Sequence, residues 1–144
     1  MAQLPDPVMN ASELSAFFEK AFPHSGENTH AADRFTISRG FVRIAFDPDE
    51  GSLRPGGIVS GPTQMGLADR AAYAVILAHI GPVAMAVTSN LNYSFLRPVA
   101  FRQVHADAVL LKLGRLLATV DVRLWQDDPA NIVGQATVTY AIPS

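Results

Sequence analysis

One stretch limits what this chain can fold into: Arg54 to Pro82, which reads RPGGIVSGPTQMGLADRAAYAVILAHIGP. Gly56 and Gly57 permit close packing or a positive φ, Ser60 is a helix-capping residue, and Pro62 suits a first turn because its missing N–H is not needed there. Gly81 followed by Pro82 supplies the stop. The signals predict a helix from about Gly61 to Ile80, roughly five turns at 3.6 residues each. Sorted by angle, Met65, Ala72, Tyr73 and Ile76 share one face. Gln64, Ala68, Ala71, Val75 and Ala78 form a second face, and Thr63, Leu67, Ala74 and Leu77 a third. No polar stripe is left for water. A helix apolar nearly all round is buried in a protein core, and this one is too short in apolar run to span a bilayer. The first face also receives Asp69. A carboxylate among apolar neighbours needs hydrogen bonds or a partner. Arg70 or a surface-facing helix end is the structural explanation, and a working acid in a cleft is the functional one.

The rest of the chain supplies a sheet to cover that helix. Asn10 to Ala21, ending before Pro23, reads as an amphipathic helix (about residues 10–22), with Asn10 as cap, Glu13 three residues on, and Leu14, Phe17, Phe18 and Ala21 on one side. His24 to Asp33 is polar and reads as a loop. Phe35 to Ser38 and Phe41 to Phe46 alternate as two strands joined at Arg39 and Gly40. Asp47 to Leu53 reads as a turn. After the helix the period changes from 3.6 to 2. Val87, Leu91, Tyr93 and Phe95 form an apolar strand face opposite Thr88, Asn90, Asn92 and Ser94, and Arg97 with Pro98 closes the strand. Further strands are expected over Arg102 to Leu113, Leu116 to Gln126 and Ile132 to Ile142, with turns at Gly114–Arg115 and Asp127–Asn131. An antiparallel sheet with one apolar face must be covered, and only the Gly61–Ile80 helix is apolar enough to do it. The expected architecture is one α+β domain over residues 1–144, its antiparallel sheet wrapped around a long central helix.

Composition removes several function classes. At 144 residues, 49% hydrophobic and 17% charged, the chain is globular and large enough for one substantial core. A net charge of −2 gives no nucleic-acid footprint. The absence of cysteine removes thiol nucleophiles and thiolate metal sites and fits a reducing compartment. The first residues, MAQLPDPVMN, have neither the basic start nor the apolar core of a secretion signal, so a cytoplasmic location is expected, with no membrane partner. His24, His30, His79 and His105 show no metal-ligand spacing, so neither a metal nor another cofactor is expected. His79 is expected to interact with the helix dipole and His105 to lie on a strand surface. Ser60, Asp69 and His79 are too far apart along one helix to converge as a triad, and no G-x-S-x-G elbow is present.

The element order, SGPTQMGLADRAA at the helix opening and TSNLNYSFLRP in the following strand resemble the hotdog-fold acyl-CoA thioesterases of the PaaI-like (phenylacetyl-CoA thioesterase) group. That family opens its helix with His-Gly-Gly, a spacer, and Leu-Ala-Asp or a variant. Here the three opening positions are Ser60, Gly61 and Pro62, and Leu67, Ala68 and Asp69 match the rest. Asn90 to Pro98 matches the family's strand ending in Phe-Leu-Arg-Pro, and Lys112 to Arg115 matches its Lys-x-Gly-Arg turn. The resemblance implies hydrolysis of an acyl-CoA thioester. Asp69 would take the place of the catalytic carboxylate, acting on water or on the carbonyl, and Gly61 that of the glycine whose N–H polarises the carbonyl. Thr88 would take the place of a hydroxyl that holds the water. It also implies a site at a subunit interface, and so a homodimer or homotetramer.

The departures are specific. Ser60 stands where the family has histidine, Pro62 where it has a second glycine, and Arg54 where it has an asparagine. Ser60 can donate one hydrogen bond or simply cap the helix, and Arg54 can hold an anion or be solvated. Tyr73 is a candidate lining residue for the acyl group, and Asn90 a further substrate-side residue in the matched strand. Arg97, Lys112 and Arg115 are candidates for the CoA phosphates. The alternative is a catalytically impaired hotdog protein that binds acyl-CoA or serves an assembly role. Hydration of an enoyl-CoA on the same fold ranks last, because it needs a histidine near the helix start.

Overall fold

The computed structural model describes residues 3–26 and 29–144. An N-terminal helix, α1 (Ala11–Ala21), begins in a capping box: Asn10 Oδ1 accepts from the Glu13 N–H, and Glu13 Oε1 accepts from the Asn10 N–H. Its apolar stripe delivers Leu14 and Phe18 to the core with no exposed surface. The expected loop from His24 to Asp33 includes a short 3₁₀ turn beginning at Ala32, while Glu27 and Asn28 lie outside the described residues.

A hairpin follows, β1 (Phe35–Ser38) and β2 (Phe41–Phe46), turning through Gly40 at φ +68°. The expected turn from Asp47 to Leu53 is replaced by a 3₁₀ turn at Glu50–Ser52 and a two-residue strand, β3 (Leu53–Arg54), paired with β4 (Ile58–Val59). Gly56 and Gly57, at φ +102° and +75°, make that turn, a conformation L side chains avoid. The helix α2 spans Gly61–Ile80, with Ser60 capping the Thr63 N–H and Gly81 at φ +94° beyond the end. After it come β5 (Val87–Phe95), β6 (Val104–Leu113), β7 (Leu117–Trp125) and β8 (Gly134–Ala141). β6 starts at Val104 rather than at the expected Arg102, whose guanidinium instead pairs with Asp127.

Six strands form one antiparallel sheet in the order β1-β2-β6-β7-β8-β5. Its inner face is built from small and branched residues: Val42 and Ile44, then Ala106 and Ala108, then Ala118, Val120 and Val122, then Ala136 and Val138, all buried. α2 meets them with Ala68, Ala71, Ala72, Ala74 and Ala78, also fully buried, so the helix can seat closely in the concave sheet. The long central helix with the sheet wrapped around it is the architecture expected.

The helix is not covered on every side. Pro62, Met65 and Gly66 are exposed and Asp69 is half-buried, spaced so that they share one stripe on the first two turns. The two ends of the sheet, β1 and β5, leave open edges in the single chain. Val87 and Phe95, on β5, are 50% and 56% exposed.

Two histidines are more enclosed than their sequence positions suggest. His79 lies in the last turn of α2, as expected, but is buried: its Nδ1 meets the Val75 carbonyl at 2.7 Å and its Nε2 accepts from the Gly40 N–H at 2.8 Å. It therefore ties the end of α2 to the β1–β2 turn. His105 is half-buried and stacks on Trp125, ring centroids 4.2 Å apart.

Candidate active site

Asp69 follows from where its turn of α2 falls: Leu67 and Ala68 point into the core, and the next position looks toward β5 and β8. Its Oδ1 accepts two hydrogen bonds, from Thr88 Oγ1 at 2.7 Å and from Tyr140 Oη at 2.8 Å. Oδ2 has no protein partner among the described residues. Arg70, the structural partner that sequence offers, turns elsewhere and sits over the Phe46 ring at 5.8 Å. Burial lowers the pKa of that guanidinium.

Thr88 reaches Asp69 because β5 carries a bulge. The register runs Thr88↔Tyr140, then Asn90↔Thr139, leaving Ser89 as the extra residue. Strict alternation puts Thr88 on the same face as Asn90. The bulge instead turns Thr88 to the helix-facing side, opposite buried Tyr140, and leaves Asn90 exposed opposite Thr139. Thr88 and Tyr140 line a cleft of about 420 Å³ together with Phe22, Tyr73, Ala84, Ala86 and Val87. Tyr73 is itself 8% exposed and donates from Oη to the Ala84 carbonyl at 2.9 Å.

The second group gathers at the N-terminus of α2. In the first turn, Pro62 has no N–H, the Thr63 N–H is taken by Ser60 Oγ at 3.3 Å, and the Gln64 N–H by the Ser60 carbonyl at 3.1 Å. The Gly61 N–H is left without a partner among the described residues, at the positive end of the helix dipole. A Cβ at Gly61 would stand 3.2 Å from the Phe95 ring, so glycine also keeps this corner open. Gly61 lines a cleft of about 570 Å³ with Arg54, Gln64, Phe95 and Arg97. Both arginines are exposed and neither forms an ion pair among the described residues. Ser60 is committed to capping, its Oγ 2.8 Å from Thr63 Oγ1.

The structure thus joins Asp69 to Thr88 by a hydrogen bond, places Thr88 and Tyr73 in the lining of one cleft, and groups Gly61 with Arg54 and Arg97 in another. Arg115 lies in the exposed β6–β7 turn and lines neither cleft. Two polar residues escape a reading of the sequence. Tyr140 passes for an ordinary inward strand residue, although a buried phenol usually needs a partner. Gln64 passes for part of an apolar helix face, but it accepts from Tyr93 Oη at 2.9 Å and donates to the Val59 carbonyl. No helix among the described residues is long and apolar enough to cross a membrane.

Residues 56–133 match the model of the Thioesterase superfamily. A protein of Thermoplasma acidophilum, provisionally named an esterase, is 30% identical over 106 residues, covering 74% of this chain and 79% of the relative. A crystal structure from Silicibacter sp. TM1040, of a protein provisionally named a thioesterase, is 37% identical with a TM-score of 0.81, covering 96% of this chain and 94% of that one. The N33D mutant of the phenylacetic acid degradation protein PaaI from Thermus thermophilus is 25% identical with a TM-score of 0.66, over 75% of this chain and 90% of that one. With the central helix, the wrapped sheet and these matches in agreement, the chain belongs to the thioesterase superfamily, has the hotdog fold, and has PaaI-like thioesterases among its relatives.

Proposed function

We propose that the protein hydrolyses an acyl-CoA thioester to the free acid and CoA. The observation that carries this reading is the half-buried Asp69 carboxylate, held through one oxygen by Thr88 and Tyr140 and open at the other. In the proposed reaction Asp69 Oδ2 takes a proton from a water whose oxygen bonds to the thioester carbon. The carbonyl oxygen becomes an oxyanion that accepts from the Gly61 N–H, where the helix dipole favours negative charge. Collapse of the tetrahedral species breaks the C–S bond, and the proton held by Asp69 passes to the departing sulfur. The reaction consumes one water and needs no redox partner.

Asp69 lies eight residue steps along α2 from Gly61, about 12 Å at 1.5 Å per step. One carbonyl cannot touch both groups of the same chain, so the reading requires a second copy. In a twofold dimer, Gly61 of one protomer meets Asp69 of its partner. The exposed stripe at Pro62, Met65 and Gly66 and the open edge of β5 support that pairing. Arg54 and Arg97, cationic and without acid partners among the described residues, suit the CoA phosphates or an anionic part of the acyl group at the Gly61 cleft. Tyr73 is assigned to the acyl side of the cleft that Thr88 and Tyr140 line beside Asp69.

One observation favours a second reading, a hotdog protein that binds acyl-CoA without turning it over. Ser60 occupies the family's histidine position and is engaged in capping rather than pointing into the cleft. A panel of acyl-CoA and acyl-carrier-protein thioesters, assayed for thiol release and for free acid, separates the two. Release from at least one thioester supports the hydrolase. Saturable binding with no release across the panel supports the alternative.

A further inference from the structure

β8 runs beside β5, and its inward residue nearest the start of β5 is Tyr140, directly opposite Thr88. The ring is 4% exposed and fixed on both sides of its environment. It stacks on Tyr73 at 5.6 Å and 14°, and Tyr73 stacks in turn on Phe18 of α1 at 5.8 Å and 11°. Tyr73 is itself pinned through its Oη to the Ala84 carbonyl. The phenol oxygen at the end of this column therefore has little freedom. It donates to Asp69 Oδ1 at 2.8 Å and lies 3.2 Å from the Asp69 carbonyl oxygen.

Resting on the hydrolase reading above, we propose that Tyr140 is a positioning residue for the Asp69 carboxylate, acting with Thr88 to hold Oδ1 so that Oδ2 alone meets the substrate water. Two donors converge on one oxygen from two different strands, β5 and β8. A carboxylate held by one donor can still pivot about that contact, whereas two donors restrict the group further and select which oxygen is left free. Burial pushes the Tyr140 phenol above its ordinary pKa, which keeps the proton on Oη and the group a donor. The role is indirect: Tyr140 acts through Asp69 and makes no bond to the reacting atoms.

A purely structural role predicts something different. If the Asp69 carboxylate merely satisfied a buried phenol, removal of the hydroxyl would alter stability and leave turnover intact. Tyr140→Phe keeps the ring and its stack on Tyr73, so the variant retains the packing while losing only the donor. The expected result is a kcat about ten- to hundredfold lower with KM within about twofold, the signature of a misplaced catalytic group. Thr88→Val should act in the same direction. Thr88→Val/Tyr140→Phe should lose more than the product of the two single losses, because each single variant still has one donor on Oδ1. A Tyr140→Phe protein with parental kcat overturns the proposal, as does one with raised KM and unchanged kcat. Asp69→Asn, run beside it, separates the two levels. An inactive Asp69→Asn with a fully active Tyr140→Phe rejects the positioning role and leaves the hydrolase reading standing, while an active Asp69→Asn rejects both.

Discussion

Gly134 opens β8 and lies opposite Phe95 in the register, but it is the ring of Tyr93 that fills the space above it. A Cβ built there falls 1.9 Å from Tyr93 Oη, 2.5 Å from Cζ and 2.9 Å from Cε1, all far inside contact distance. Gly134→Ala must therefore displace Tyr93, and with it the bond from Tyr93 Oη to Gln64 Oε1 at the floor of the Gly61 cleft. Overpacking a filled core costs about 1–3 kcal/mol. Leaving a buried amide oxygen without its donor adds about 1–3 kcal/mol. The sum, about 2–6 kcal/mol, is a large share of the 5–15 kcal/mol typical of a folded domain. At about 2–4 °C per kcal/mol for a chain of this size, Tm should fall by roughly 4–24 °C. Thermal unfolding followed by circular dichroism measures it. Gly134→Ala/Tyr93→Phe removes the nearest atom but not Cζ, so it should recover only part of the loss. A Gly134→Ala protein that melts within about 2 °C of the parent would refute the packing argument.

Further outcomes follow from the same geometry. His30 is 2% exposed with its Nδ1 unpartnered among the described residues, and burial, reinforced by Arg70, lowers its pKa from 6.5 to about 4. Because the unfolded chain holds the extra proton, this contribution to stability is complete above pH 6.5 and drains away as pH falls toward 4. Tm should therefore decline between pH 6.5 and 5, above the range where carboxylates protonate, and His30→Leu should flatten that slope. A shared site makes a separate prediction about subunits. Gly61→Val, crowded against Phe95, and Asp69→Asn should each be inactive alone, yet co-refolded in equal amounts they should regain about a quarter of parental activity. Half of randomly formed dimers are mixed, and each mixed dimer holds one intact site of its two. No recovery would place both groups in sites formed by a single chain.

How much of this is legible in the sequence depends on how local each signal is. The ends of α2 are readable because Ser60, Pro62 and Gly81 act on their own turns, and the structure starts and stops the helix where they say. β7 and β8 are readable because their alternation is unbroken: Ala118, Val120 and Val122 and then Ala136, Val138 and Tyr140 all face inward. Alternation alone assigns Thr88 to the wrong face, because the bulge at Ser89 depends on pairing with Thr139 and Tyr140, some fifty residues away. His79 is hidden for the same reason, since its partner is a backbone N–H in the distant β1–β2 turn. The open stripe at Met65 and Gly66 is masked by composition. Residues that a second copy would cover look as apolar in sequence as residues covered by the chain's own sheet.

In the proposed hydrolysis the Asp69 carboxylate is the group that activates water. The most direct test is the steady-state rate of thiol release by Asp69→Asn on the best thioester of the panel, beside the parent protein. Asparagine keeps the size of the side chain and can still meet Thr88, so the fold and melting temperature should hold while kcat falls about 10²- to 10⁴-fold. Turnover at the parental rate would exclude Asp69 from that role.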